Sequence, residues 1–300
     1  MPRITPSALL CLPIICFLSV LLAVSLIAAP ADVELDIAYG KDHPNQRLDL
    51  YLPPASKGFA TVVFVHGGSL QTGDKSDDDY GKVCPTLAAA GVACASINYR
   101  FLKDAPWPAS ADDTAAAFAW TKRNIASRNG DPTHIFLVGH SSGARLVATI
   151  ATDEQFAQRA GFALADIRGV VVMGSIMRDQ DFEDQITKVT LAKILSAFAT
   201  VPEYRAYGTP ERYRESWPLH HIHPGIPPVL FIIAEHEEIN PPVLASAQEF
   251  IAAVTRVGGH ASYKIVPGRH MDEVRNLGAP GNLIQPAILE FIQRPGPPVE

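Results

Sequence analysis

"HIFLVGHSSGARLVATIAT", His134 to Thr152, is the stretch on which the fold turns. Ile135-Phe136-Leu137-Val138 is a continuous apolar run, the pattern of a strand covered on both faces. Ala144 to Ile150 reads as a helix, with Leu146, Val147 and Ile150 spaced to pack back on a sheet. Between them, Gly139-His140-Ser141-Ser142-Gly143 fits G-x-S-x-G centred on Ser141. In a strand–turn–helix setting that motif puts a serine on a strained turn, and the flanking glycines leave room for the tight backbone. The competing reading is a small residue in a glycine-rich turn, since so short a pattern also arises by chance. The rest of the chain has to decide between them.

The same alternation extends in both directions. Val33 to Tyr39 and Arg47 to Leu52 alternate apolar and polar, as half-exposed strands do, with Pro44 and Asn45 between them to turn a hairpin. Thr61 to Val65 is a short buried strand ending at His66-Gly67-Gly68. A helix over Val83 to Ala90 and a strand over Val92 to Tyr99 follow, then a helix from Asp112 to Ala126 capped by Asn129-Gly130. Beyond the Ser141 segment come strand Gly169 to Met173, strand Val229 to Ile233, helix Val243 to Val257, strand Ala261 to Val266, and a helix near Leu283 to Ile292. From about 175 to 228 the alternation lapses into charged residues, isolated aromatics and prolines, which reads as a small helical lid insertion. The sum is an α/β protein with a mostly parallel sheet covered by helices on both faces, forming one domain over residues 32–300. Ligand sites in such sheets lie at the carboxyl ends of the strands.

Composition narrows the functional class. The 300 residues are 47% hydrophobic and 19% charged, with a net charge of −6 and no dense Lys/Arg stripe, which argues against a nucleic-acid partner. Residues 1–31 differ from the body: Arg3 is followed by apolar residues from Ala8 to Ala29, and the segment ends in Ala29-Pro30-Ala31. This reads as a signal peptide for export, secreted or periplasmic. Its rival is an uncleaved anchor over residues 8–29, the one route to a membrane contact. Cys11 and Cys16 fall in that segment, leaving Cys84 and Cys94 as either a disulfide or two buried thiols.

A serine hydroxyl attacks only when a histidine takes its proton and an acid orients that histidine. His270, in "YKIVPGRHMDEV", sits just past the last strand, where a loop can reach Ser141. The acid is expected after "VLFII", where Glu235, Glu237 and Glu238 compete. Glu238 is preferred because it falls in the loop beyond the strand, just before Pro241, with Glu237 as an alternative and Glu235 as a structural residue. A pair of backbone N–H groups must also receive the oxyanion. Ser142, next to the serine, supplies one, and "FVHGGSL" offers Gly68 and Ser69, with Gly67 in reserve. Trp107 and Trp217 are candidates for an acyl or aryl pocket, as is Phe182, with core packing as the rival role. His220, His221 and His223 cluster without a convincing metal spacing, so no metal is expected.

On His66-Gly67-Gly68, Gly73-Asp74-Lys75, Asn98-Tyr99-Arg100, Gly139 to Gly143, Trp217-Pro218-Leu219 and His270, the chain resembles the α/β-hydrolase superfamily. The likeness is to its esterase branch of hormone-sensitive-lipase-like, feruloyl-esterase-like and arylformamidase-like members. That resemblance implies Ser141 as nucleophile, His270 as base and Glu238 as acid. It further implies a small-molecule ester as substrate and no metal or organic cofactor. Two departures stand out: Ser69-Leu70 follows His-Gly-Gly, where lipase-like members have a third glycine, and the acid is a glutamate. The alternatives are a small-amide hydrolase with the same triad and a non-catalytic binding module of the same fold.

Overall fold

The computed structural model describes residues 32–54, 57–178, 205–237 and 243–295. Eight strands form one sheet in the order β1-β2-β4-β3-β5-β6-β7-β8. They are β1 (Asp32–Ala38), β2 (Arg47–Leu52), β3 (Phe59–Val65), β4 (Ala93–Ile97), β5 (Gly130–His140), β6 (Ile167–Met173), β7 (Val229–His236) and β8 (Ala261–Arg269). The β1–β2 and β2–β4 pairs are antiparallel, and every other pair is parallel. This is the α/β-hydrolase fold.

The apolar runs explain why the central strands sit where they do. Along β3, Val63 and Val65 join one core while Val62 and Phe64 join the other. The same two-residue period places Leu137 opposite to Phe136 and Val138, and Val172 opposite to Val171 and Met173. Each face needs a helical cover, and amphipathic stripes supply it. Helices α2 (Ala109–Asn124), α3 (Ser142–Thr152) and α6 (Val243–Arg256) bury Phe118, Leu146 and Phe250 against one face. Helices α1 (Val83–Ala89) and α8 (Ile284–Gln293) bury Leu87, Ile288 and Phe291 against the other. Three further helices, α4 (Glu154–Ala160), α5 (Pro210–Glu215) and α7 (Asp272–Arg275), are short.

Several expectations are met and some are refined. The Asp112–Ala126 helix starts earlier and continues as a 3₁₀ turn over Ile125–Arg128, closed by Asn129 with φ 69°. Cys84 on α1 and Cys94 on β4 form a disulfide, with 5.0 Å between their Cα atoms. Strands β7 and β8 run three residues further than their apolar runs do, because Ala234 pairs with Val266 and His236 with Arg269 after a register shift. Of the expected lid, residues 175–178 and 205–228 are described, while Phe182 lies outside the described residues, as do residues 1–31.

Candidate active site

The chain leaves the carboxyl ends of β3, β5, β6, β7 and β8 through His66, Ser141, Gly174, Glu237 and His270. These strands are neighbours in the sheet, so five residues distant in sequence meet along one edge.

Ser141 occupies a turn that ordinary backbones avoid. Its φ is 55° and ψ −126°, and it is the N-cap of α3. Its amide donates to the Met173 carbonyl at 2.8 Å, while its own carbonyl accepts from Ala144 at 3.0 Å. Conformations of this kind persist only where the surroundings impose them. Here the surroundings are tight: a Cβ at Gly143 would strike the Val65 and His66 carbonyl oxygens, and one at Gly139 would lie 2.6 Å from the Gly143 carbonyl carbon. Both motif glycines are therefore contact points between α3 and the sheet.

His270 is buried, and its Nδ1 donates to Glu237 Oε2 at 3.0 Å. That pairing gives His270 a carboxylate partner in Glu237, the alternative to the preferred Glu238. Strand β7 continues through His236, so the first residue past its end is Glu237, one place earlier than the preferred Glu238. Glu238 lies outside the described residues. Glu235 is exposed within the strand. With Nδ1 committed to a carboxylate, Nε2 is the ring nitrogen left to act as a base.

A second histidine, His140, occupies a variable position of the motif. It is fully buried beside His270, with ring centroids 4.5 Å apart. Its Nε2–H donates to the His270 carbonyl at 3.0 Å, and its Nδ1 accepts from the Tyr80 hydroxyl at 3.1 Å. Gly67 lies against the same tyrosine oxygen, which a Cβ there would approach to 2.6 Å. Burial and the nearby His270 lower its pKa to about 3, so it stays neutral.

The loop after β3 is braced from below. His66 is buried, its Nδ1–H donates to the Gly67 carbonyl at 2.7 Å, and its ring stacks on Tyr99 at 4.7 Å. The Tyr99 hydroxyl donates to the His66 carbonyl at 2.9 Å. The Gly68 carbonyl accepts from Gln71 at 2.9 Å and Thr72 at 3.0 Å, and Leu70 N–H donates to Ser142 Oγ at 3.3 Å. Ser69 and Leu70 adopt φ of 57° and 60°, the conformation that a third glycine would take without strain. Lys75 N–H donates to Asn98 Oδ1 at 2.7 Å, and its ammonium pairs with Asp36 and Asp49, anchoring the loop's far end to β1 and β2.

The remaining candidates have partners of their own. Trp107 and Trp217 are buried around the Arg145 guanidinium, which lies 4.5 Å from the Trp217 ring and also bonds the Tyr207 hydroxyl. The rings of His221 and His223 are engaged with the carbonyls of Glu215, Pro224 and Thr152, which leaves that cluster unsuited to a metal. Arg100 grips the buried Asp113 through two nitrogens.

Residues 48–247 match the model of one protein family, BD-FAE. The chain belongs to that family. Among curated relatives, it is 27% identical over 243 residues to Esterase LipQ of Mycobacterium tuberculosis, covering 78% of this chain and 56% of LipQ. It is 30% identical over 241 residues to Esterase LipC of the same organism, covering 77% and 58%. The chain therefore spans little more than half the length of these relatives. Among solved structures, a truncated carbohydrate esterase from gut microbiota superposes with a TM-score of 0.71 at 20% identity, over 89% of this chain and 97% of that one. Esterase B from Lactobacillus rhamnosis gives 0.70 at 20% identity, over 89% and 85%. These solved structures share the fold in which the five strand-end residues meet.

Proposed function

We propose that this BD-FAE member is a serine carboxylesterase acting on small acyl or aryl esters, with Ser141, His270 and Glu237 as its triad. The observation that carries the reading is the His270 Nδ1–Glu237 bond at 3.0 Å, formed at the strand ends that flank a serine with φ of 55°. In this scheme His270 Nε2 takes the Ser141 Oγ proton as Oγ attacks the ester carbonyl. The imidazolium, balanced by Glu237, then protonates the departing alcohol. Water attacks the acyl-enzyme with His270 again as base, and the carboxylic acid leaves.

The oxyanion rests on backbone N–H groups of Ser142, Gly68 and Ser69. A trans peptide sets its C=O and N–H on opposite sides. The Gly67 and Gly68 carbonyls are held by His66 and by the amides of Gln71 and Thr72, so the Gly68 and Ser69 N–H groups point the other way. The names of LipQ, LipC and Esterase B support an ester as substrate. Export follows from the same reading: a Cys84–Cys94 disulfide suits an oxidising compartment, and residues 1–31 would be its signal.

The test is hydrolysis of p-nitrophenyl esters from acetate to dodecanoate by the wild type and Ser141→Ala. Activity greatest on short chains, reduced about 10⁴-fold or more in the variant with unchanged melting, is expected. Turnover by Ser141→Ala at the wild-type rate would overturn the reading. Turnover of formamides but no ester would move it to the small-amide hydrolase.

A further inference from the structure

Glu273 takes no part in that chemistry, yet it sits beneath the histidine on which the chemistry depends. It lies on α7, three residues past His270, and is 0% exposed. One carboxyl oxygen, Oε1, accepts from Ala234 N–H at 2.7 Å. The other, Oε2, has no hydrogen-bond partner among the described residues. Buried polar atoms are rarely left in this state, because desolvation without a partner costs about 1–3 kcal/mol.

The unsatisfied oxygen is aimed at the catalytic corner. His140 Nε2 is 3.6 Å away, but its proton is given to the His270 carbonyl. Side-chain nitrogens of His140 and His270 and an oxygen of Glu273 fall within 4.8 Å of one another. Gly174, at the end of β6, makes the meeting possible: a Cβ there would lie 2.6 Å from Glu273 Oε2 and 2.8 Å from His270 Nδ1. The two atoms thus share a gap that only a glycine leaves open, and Gly174 also has the positive φ of 55° that a side chain would resist.

We propose that Glu273 is a reserve positioning carboxyl for His270, able to turn across Gly174 and accept the Nδ1–H bond when Glu237 is withdrawn. The proposal rests on the triad reading. The titratable groups facing Glu273 are His140 from β5, His270 from β8 and Glu237 beyond β7. Burial first, and then the like charge of Glu237, raise its pKa well above the ordinary carboxyl value, so it waits in the protonated form. To serve, it must release that proton to solvent, and the resulting carboxylate accepts the hydrogen bond from Nδ1. A carboxyl that served only to tie α7 to β7 would need Oε1 alone, and a glutamine amide would do the same.

The experiment is kcat/KM against pH for the wild type, Glu237→Ala, Glu273→Gln and the double variant, with p-nitrophenyl butyrate. Losing Glu273 is expected to cost at least about tenfold more in the Glu237→Ala background than in the wild type, a coupling that distant, independent sites do not show. The acid limb of Glu237→Ala is expected at higher pH than that of the wild type, because activity then awaits the ionisation of a buried carboxyl. In the double variant, which has no buried carboxyl left to ionise, that upward displacement is expected to be lost. Equal costs of Glu273→Gln in both backgrounds, or an unmoved limb in Glu237→Ala, would overturn the proposal alone. Should the Glu273 variants not fold, the Glu237→Ala limb decides by itself. Wild-type rates in Glu237→Ala with a wild-type limb would instead overturn the assignment of Glu237, and this proposal with it.

Discussion

The loop after β3 and the loops after β7 and β8 lie on either side of Ser141, and their polar groups are satisfied in different ways. On the β3 side the bonds nearest Ser141 join neutral groups, and the charged anchor, Lys75 with Asp36 and Asp49, lies at the loop's far end. His66 holds the Gly67 carbonyl, Tyr99 holds the His66 carbonyl, and Ser142 Oγ receives Leu70 N–H. On the other side the groups are titratable: His270 bonds Glu237, and Glu273 waits beside His140. Fixed neutral dipoles are what an oxyanion needs, since they cost no reorganisation when charge develops. Proton transfer needs the opposite, groups whose charge can change. The Tyr80–His140 bridge joins the two sides, running from beside Gly67 to the His270 carbonyl.

The comparison can be broken on its rigid side first. Gly68 has φ of 112°, and a Cβ there would strike the Thr72 carbonyl oxygen. Gly68→Ala should displace the oxyanion N–H groups and lower kcat by about 10²–10³-fold. A KM largely unchanged and a modest fall in melting temperature should accompany it. A variant as fast as the wild type would remove the β3 loop from the oxyanion site.

Tyr80→Phe sharpens the account at the bridge. It leaves His140 Nδ1 without its donor, so about 1–3 kcal/mol of stability should be lost, with about a tenfold fall in kcat. Stability from urea unfolding and kcat from initial rates check both. A loss of stability with kcat intact would make the bridge structural only.

The smallest effect is on the pH dependence of stability. Burial lowers the His140 pKa from 6.5 to about 3 and also lowers that of His66, so the folded state binds fewer protons than the unfolded chain between those values. Their contribution is full above about pH 6.5 and is lost as pH falls toward 3. Glu273 acts with the opposite sign: its raised pKa contributes fully below about 4.5 and is lost as pH rises. Melting temperature should therefore decline as pH falls below about 6.5, and His140→Gln should flatten that decline. An unchanged slope in the variant would show that His140 is not held neutral.

Much of this was legible in the sequence, for a physical reason. Buried parallel strands must be apolar on both faces, so β3, β5, β6 and β7 announce themselves as apolar runs, and Ser141 and His270 fall at or just past strand ends. The carboxylate that pairs with His270 is harder to read. The apolar run marks strand β7 only as far as Ile233, whereas Ala234 and His236 continue it through backbone pairing with the edge strand β8, which no side chain signals. Glu238 is preferred for its place just before Pro241, and three glutamates within four residues leave the choice open to the fold. The roles of Tyr80, His140 and Glu273 depend on contacts between strand ends far apart in the chain. Only the three-residue spacing of Glu273 from His270, with an acidic residue on the following turn, offered a local hint.

The most direct test of the central claim is reaction of the protein with a p-nitrophenyl phosphonate, followed by intact mass and peptide mapping. The account predicts one adduct per chain, located on Ser141, with p-nitrophenol released in equal amount and esterase activity lost in step. An adduct on another residue, or full activity in a chain already labelled at Ser141, would contradict it.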